Sequence, residues 1–172
     1  MKIRALVFGL SLMFISCSSD DDGFDSILEG RSYTITAFYI ETPADVNNDG
    51  VYDNNLLNED TFGCQTMNGL SFRNGTTSAP LEYGPRLYIS EANTQSMSCY
   101  VIDYFAPISY MVDEENMTVN IAGFIGQISG DTISFRLNNS ELDSLGEILL
   151  EDGTTETYTG NYILEFTRLH LF

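Results

Sequence analysis

The residues from Asp45 to Asp53 have the types and spacing of a calcium-binding loop. The segment Asp45-Val-Asn-Asn-Asp-Gly-Val-Tyr-Asp53 has side-chain oxygens at loop positions 1, 3, 5 and 9 and a glycine at position 6. Calcium binds six to eight oxygens at about 2.4 Å, and alternate residues of a tight loop supply them, with a backbone carbonyl at position 7. The predicted ligands in this segment are Asp45, Asn47, Asp49, Val51 and Asp53.

The pattern departs from the EF-hand type at position 12, where Leu56 replaces the expected bidentate glutamate. Glu59 or Asp60 can supply the missing carboxylate along a different backbone path. The alternative is that the Asp and Asn side chains only cap turns through bonds to nearby backbone N–H groups. That alternative leaves several carboxylates close together without compensating charge, so we predict a structural Ca²⁺ site here.

Few other residues are suited to catalysis. The chain has one histidine, His170, and its only lysine is Lys2. Histidine, lysine and free cysteine supply most general bases and nucleophiles, and we expect the cysteines to be lipidated or paired. We therefore predict no enzymatic activity and assign no catalytic or organic cofactor-binding residues. A carboxylate-based glycan hydrolase stays open, because 25 acidic residues always offer pairs.

The N-terminus has the features of a secretory signal. A cationic start, Met1 to Arg4, precedes the apolar run from Ala5 to Ile15, which is about half the length of a membrane-spanning helix. The run ends in Phe14-Ile-Ser-Cys17, which resembles the bacterial lipobox. We predict that residues 1–16 form a cleaved signal peptide and that Cys17 carries the lipid. An ordinary secretory signal is the alternative.

Residues 17–30 are predicted to be a lipidated acidic tether. The run Ser18-Ser-Asp-Asp-Asp-Gly-Phe-Asp25 resembles the signal that exports Bacteroidota lipoproteins to the outer face of the outer membrane. Two or three acyl chains give stable anchoring, whereas one chain holds only marginally. The expected location is the cell surface, with the chain anchored to the outer membrane through its lipid.

The two remaining cysteines, Cys64 and Cys99, are an even pair in a chain expected to reach an oxidising compartment. We predict a disulfide between them, which would contribute roughly 4 kcal/mol in the loop-entropy model.

Charge excludes one class of partner. After residue 16 the chain has five arginines and all 25 acidic residues, which gives a side-chain charge of −20. Such a surface repels phosphate backbones and gains nothing from counterion release, so nucleic-acid binding is excluded.

Residues 31–172 are predicted to form one all-β domain with an Asp-rich loop at 41–63. Short β-branched and aromatic segments recur with turn signals every eight to twelve residues, among them the hairpin signal Asn74-Gly75. This rhythm predicts a single antiparallel β-barrel of about eight strands or, as the alternative, a β-sandwich.

Two local strand predictions follow from the same patterns. The first strand is expected to place Tyr33, Ile35, Ala37 and Tyr39 on one face. The last hairpin is expected to pair Glu147–Leu150 with Asn161–Arg168.

One resemblance combines these features. The lipobox, the loop Asp45–Gly50, the segment Asn55-Leu-Leu-Asn-Glu59, Cys64 and then Leu70-Ser-Phe-Arg-Asn-Gly-Thr76 are similar to lipocalin-like surface lipoproteins of Bacteroidota. The resemblance covers residues 1–76 by motif and the remainder by strand rhythm. It implies a small barrel with an aspartate-rich insertion between its first strands.

Three functional hypotheses remain. The first is a non-enzymatic domain, anchored in the membrane, that binds a small ligand, a glycan or a protein partner. The second is a structural or assembly subunit of an envelope complex. The third is the carboxylate-based glycan hydrolase.

Overall fold

Thirteen β-strands make up the regular structure of the residues that the structure describes. The computed structural model describes residues 26–59, 69–78, 86–98, 106–138 and 145–170, and these ranges contain strands, turns and bends but no helix. The predictions that concern the signal peptide, Cys17, Asp60, Cys64 and Cys99 lie outside these ranges. Among the described residues, no helix is long and apolar enough to cross a membrane.

The strands are β1 (Ser32–Ala44), β2 (Asp53–Asn55), β3 (Gly69–Arg73), β4 (Thr76–Ser78), β5 (Arg86–Ile89), β6 (Gln95–Ser98), β7 (Ile108–Asp113), β8 (Thr118–Ile121), β9 (Phe124–Ser129), β10 (Thr132–Asn138), β11 (Glu147–Leu149), β12 (Thr155–Thr157) and β13 (Asn161–Arg168).

Eight of these strands close into an antiparallel barrel. Their order around the ring is β1-β3-β4-β7-β8-β9-β10-β13, and β13 pairs with β1 from Tyr33↔Arg168 to Ile40↔Tyr162. β2 pairs with the far end of β1, while β5–β6 and β11–β12 form two separate hairpins. Closure removes the exposed sheet edges. The predicted all-β class and barrel are confirmed, and the sandwich alternative is wrong.

A β-bulge changes which side chains of β1 face the barrel interior. The register against β13 shifts between Ile35 and Ala37, so that Tyr33 and Ile35 are buried before the shift and Phe38 after it. Tyr39 is 39% exposed, and its predicted place on the buried face is therefore wrong. An extra residue in one strand reverses the in–out alternation beyond it, and a sequence read with period two does not reveal the insertion.

One end of the barrel, the N-terminal pole, is closed by the turn at residues 26–30. Leu28 in this turn is fully buried, and the Gly30 N–H donates to the Phe72 carbonyl at 2.9 Å. The Glu29 carboxylate accepts hydrogen bonds from the Asn74 N–H at 2.6 Å and the Tyr110 hydroxyl at 2.9 Å. Asn74 and Gly75 both have positive φ, 51° and 69°, which suits the predicted two-residue hairpin between β3 and β4.

The opposite end, the loop pole, contains the Asp-rich loop and the hairpins β5–β6 and β11–β12. Here one strand prediction is wrong, because β11 pairs with β12 and not with β13. The turn at Gly153 leads into Thr155–Thr157, a short exposed strand whose polar sequence gives no burial signal. β13 instead buries alternate large side chains and joins β10 to β1.

Backbone and side-chain hydrogen bonds join the two hairpins of the loop pole. Leu87 and Gly146 form a parallel bridge, with the Leu87 N–H donating to the Leu145 carbonyl at 2.6 Å. Gln95 is 1% exposed, and its side chain accepts from the Leu149 N–H at 2.6 Å and donates to the Glu147 carbonyl at 3.1 Å. A buried amide whose donor and acceptor are both satisfied fixes the geometry of what it joins.

Aromatic side chains fill the described part of the barrel interior. Phe72 makes edge-to-face contacts with Tyr33, at a centroid distance of 5.7 Å, and with Tyr110, at 4.8 Å. A second pair, Phe135 and Phe166, meets at 6.0 Å. Such pairs add about 0.5–1.5 kcal/mol each to the burial of their surface. The interior described here is a packed core.

Gly146 provides a test of the contact between the hairpins. A Cβ on Gly146 would lie 1.9 Å from the Leu87 carbonyl oxygen, and φ is +113°. Gly146→Ala is expected to destabilise by about 3 kcal/mol or more, because a left-handed backbone costs an L-residue about 1–2 kcal/mol and the steric clash adds to this. Urea unfolding measures the change.

Gly153→Ala is the matched control, since φ is +83° and nothing lies within 4 Å of the added Cβ. Its expected cost is the backbone term alone, about 1–2 kcal/mol. Equal losses of stability in the two variants would contradict the proposed close contact of β5 with residue 146.

Candidate metal centre

The Asp-rich loop begins where β1 ends, and Asp45 organises it. One carboxylate oxygen of Asp45 accepts from the Asp49 N–H at 3.0 Å, and the other accepts from the Gly50 N–H at 2.9 Å. Asn48 and Gly50 have positive φ, 59° and 87°, which lets the chain turn sharply within these few residues. The side chains of Asp45 and Asp49 are thereby held on the same turn of backbone.

Asn48 fixes the loop to the neighbouring hairpin. Its side-chain amide donates to the Gln95 carbonyl on β6 at 3.0 Å and to the Val46 carbonyl at 3.2 Å. Val46 is 4% exposed and packs into the core. The loop is therefore anchored at two residues that lie between Asp45 and Asp49.

A second segment brings Glu59 to the same place. After β2 the chain turns, and the Asn55 side chain accepts from the Phe38 N–H at 3.0 Å and the Leu57 N–H at 3.2 Å. Leu56 is fully buried and Leu57 nearly so, which fixes the turn to the core, and the Glu59 N–H donates to the Leu56 carbonyl at 3.2 Å. Glu59 itself is only 4% exposed.

Three carboxylates meet where these segments come together. Asp45, Asp49 and Glu59 each place a carboxylate oxygen within 4.8 Å of the others. Burial raises the pKa of Glu59, a hydrogen bond from the Asn47 N–H at 3.5 Å opposes this, and the negative charges of Asp49, Asp45 and Asp53 raise the pKa further. No arginine or histidine within the described ranges forms an ion pair with the three carboxylates. We name Asp45, Asp49 and Glu59 the acid cluster.

The acid cluster fits a calcium ion. Two ligands on opposite sides of an ion at about 2.4 Å are about 4.8 Å apart, so the pairwise separations of these oxygens fall within the range that ligands of one ion have. Each oxygen of Asp45 that accepts a backbone N–H keeps a second lone pair for a metal. A buried carboxylate among like charges is costly unless a cation compensates it, and a divalent ion supplies that charge. The chemistry of this donor set, all oxygen, suits Ca²⁺.

The other predicted ligands lie outside the acid cluster. Val51 is 58% exposed, and its N–H donates to an Asp49 oxygen at 2.8 Å. Asp53 accepts from the Asn58 side chain and from the Asn55 N–H, each at 2.8 Å, and these bonds lower the pKa of Asp53. Asn47 contributes its N–H toward Glu59 and its side-chain oxygen to the Asp49 N–H.

Position 12 of the loop has a structural explanation. Leu56, which replaces the expected glutamate, is a fully buried core residue, and Glu59 comes to the loop from the turn that follows it. Of the two carboxylates offered by the sequence, Glu59 lies in the acid cluster and Asp60 is outside the described residues.

Asn48 and Gln95 support the site but were not predicted from the sequence. The only local signal was that Asn tolerates positive φ, as Asn48 does here. Gln95 lies 47 residues beyond Asn48, and nothing in its neighbourhood indicates the contact.

Comparison of the chain with protein-family models, with curated proteins and with solved structures gave no match.

Calcium titration of chelator-treated protein tests the acid cluster. We expect a dissociation constant of about 10⁻⁴–10⁻³ M, which is common in extracellular modules. Glu59→Gln should weaken binding at least about tenfold, because the charge of the bound ion is then less well compensated. Isothermal titration calorimetry measures both values.

Asp53→Asn is the control, because Asp53 has its own hydrogen-bond partners outside the acid cluster. It should change the affinity less than Glu59→Gln does. Without metal, the raised pKa of Glu59 means that the contribution of this residue to stability increases as the pH falls through that pKa toward the ordinary value of 4.5, and Glu59→Gln should remove this pH dependence. Equal calcium affinity of wild type and Glu59→Gln would contradict the assignment.

Proposed function

We propose that this chain is a lipoprotein of the bacterial outer-membrane surface, anchored through Cys17, whose non-enzymatic barrel binds an extracellular ligand near its calcium-stabilised loop pole. The observation that carries this proposal is the buried Glu59 beside Asp45 and Asp49, in a loop that is tied to β6. A cation there would hold the loop and the hairpins as one rigid unit. Binding residues are commonly presented on loops that a rigid scaffold positions.

The two poles support this orientation. The predicted tether joins the described domain at Ser26, which belongs to the N-terminal pole. The Asp-rich loop and both hairpins lie at the opposite end of the barrel. An anchored chain would therefore hold its loop pole away from the membrane, where an extracellular ligand can reach it.

A shallow cleft on the barrel wall near the loop pole suits a glycan. Its volume is about 150 Å³, and it is lined by Tyr39, Ile40, Glu41, Arg136, Asn161 and Ile163. The Asn161 amide donates to the Glu41 carboxylate at 2.9 Å, and Arg136 lies 3.7 Å from the same carboxylate. An exposed tyrosine ring beside planar polar groups can stack on a sugar ring and hydrogen-bond its hydroxyls. Because aromatic side chains fill the described interior, we favour this wall over an internal ligand site.

One observation favours the second hypothesis, an assembly subunit of an envelope complex. A subunit that only contributes contacts to a larger complex needs no internal ligand cavity. The aromatic contacts in the described interior suit such a subunit. Recovery of a stoichiometric envelope protein with the chain from detergent-solubilised membranes would support this hypothesis over glycan binding.

Acylation of Cys17 tests the anchor. Mass spectrometry of protein purified from its native membrane should show an N-terminal Cys17 with two or three acyl chains and no residues 1–16. Cys17→Ser should leave the membrane fraction, because no acyl chain remains to hold it. An unmodified Cys17 in the membrane-purified protein would contradict the proposed anchoring.

Native gels that contain a neutral polysaccharide (galactan, mannan or xylan, each in turn) test the wall cleft. At least one should retard the wild type. Tyr39→Ala should weaken retention about two- to tenfold, because an aromatic stacking contact is worth about 0.5–1.5 kcal/mol. Tyr88→Ala is the control, since Tyr88 is 45% exposed but lies on the separate β5–β6 hairpin. Retention that survives Tyr39→Ala, or no retention in any gel, rejects the cleft as a binding site for these glycans.

A further inference from the structure

A cationic cleft lies at the N-terminal pole of this acidic chain. It has a volume of about 260 Å³ and is lined by Gly30, Arg31, Ser32, Arg168, Leu169 and His170. Arg168 lies 3.5 Å from an Asp131 oxygen, and His170 lies 3.0 Å from the other. Among the described residues, no carboxylate forms an ion pair with Arg31. We name this group of lining residues the basic cleft.

A further arginine extends the cationic surface along the same rim. The Phe72 N–H donates to the Arg31 carbonyl at 3.0 Å, which places exposed Arg73 beside Arg31 at the end of β3. Of the five arginines after residue 16, three therefore belong to this rim, formed by β13, β1 and β3. Among the described side chains discussed for this rim, Glu29 and Asp131 oppose the three arginines, so these five groups sum to one positive charge while the chain after residue 16 carries −20.

Three further acidic side chains of this pole lie on the other side of the ring. The turn between β7 and β8 carries Asp113, Glu114 and Glu115, and these two strands are separated from β1 by β3 and β4. The pole thus has a basic side and an acidic side. A charged membrane surface would act on the two sides in opposite directions, which selects one orientation of the domain.

The length of the predicted tether keeps this pole near the membrane. Eight residues separate Cys17 from Ser26. Even fully extended, they span at most about 30 Å. An acylated Cys17 therefore confines the basic cleft to the neighbourhood of the headgroups, where each arginine adds attraction to an anionic surface that falls off within a Debye length.

We propose that the basic cleft, together with Arg73, docks on the anionic phosphates of lipid headgroups and fixes the orientation of the barrel on its membrane. This inference rests on the proposed anchor at Cys17. Arginine suits this ligand because its planar guanidinium group donates two parallel hydrogen bonds to phosphate oxygens. Leu169, which is 46% exposed in the cleft, would meet the interface beside the arginines.

A single tryptophan reports the docking, because the chain contains none. Leu169→Trp places the reporter in the basic cleft, and Val51→Trp places it at the loop pole, where Val51 is 58% exposed. The acylated proteins are reconstituted into phosphatidylcholine vesicles that contain a nitroxide-headgroup quencher, with or without phosphatidylglycerol. We expect phosphatidylglycerol to increase the quenching of the Leu169→Trp protein, high salt to reverse this, and the Val51→Trp protein to stay unquenched.

Charge variants test the arginines directly. In the Leu169→Trp protein, Arg31→Gln with Arg73→Gln should reduce the ratio of docked to undocked protein about fivefold for each arginine removed. Arg136→Gln is the matched control, because its exposed guanidinium lies on the wall near the loop pole, and it should leave the quenching unchanged.

Two outcomes overturn the proposal at different levels. If the protein does not float with the vesicles, the anchor fails and the docking surface fails with it. If the protein floats but phosphatidylglycerol leaves the Leu169→Trp signal unchanged, or the double arginine variant is quenched as strongly as its parent, the anchor stands and the docking surface is wrong.

Discussion

The burial of the Glu59 carboxylate beside Asp45 and Asp49 is the constraint on which the loop pole depends. A carboxylate that is 4% exposed and has like charges beside it is costly to ionise, and burial raises the pKa of Glu59. Several local features bring the three carboxylates together. They are the positive φ of Asn48 and Gly50 and the core contacts of Leu56 and Leu57. A bound divalent ion would turn this costly convergence into a stabilising one.

The barrel gives this cluster its fixed position. β1 continues beyond the ring and pairs with β2 at Ala44↔Asp53. The backbone therefore leaves β1 at Ala44 and returns to a strand that is paired with it. The buried side chain of Gln95 joins the two hairpins, and its backbone carbonyl holds Asn48. Charge, loop geometry and hairpin packing at this end are thus coupled through a few hydrogen bonds. The opposite pole uses a carboxylate in another way, since Glu29 accepts bonds from the Asn74 N–H and the Tyr110 hydroxyl where the N-terminal turn closes the barrel.

The sequence predicts the barrel well wherever local chemistry determines local structure. Alternating apolar residues and the Asn74-Gly75 turn predict strands and a hairpin that the structure contains. It fails where one inserted residue or a distant contact decides, as at the β1 bulge that exposes Tyr39 and in the pairing of β11 with β12. The same distinction between local signals and distant contacts applies to the metal site. The loop spacing indicates Asp45 and Asp49, and Glu59 was one of two carboxylates that it left open. The contact of Asn48 with Gln95 is non-local and has no sequence signal.

Anomalous diffraction from crystals grown with calcium tests whether the acid cluster binds the ion. We predict one anomalous peak within about 2.3–2.6 Å of oxygens from Asp45, Asp49 and Glu59. The crystals are kept at calcium concentrations well above the expected dissociation constant. Ordered electron density for Glu59 with no anomalous peak beside it would contradict this prediction. The loop pole would then be held by its hydrogen bonds and core contacts alone.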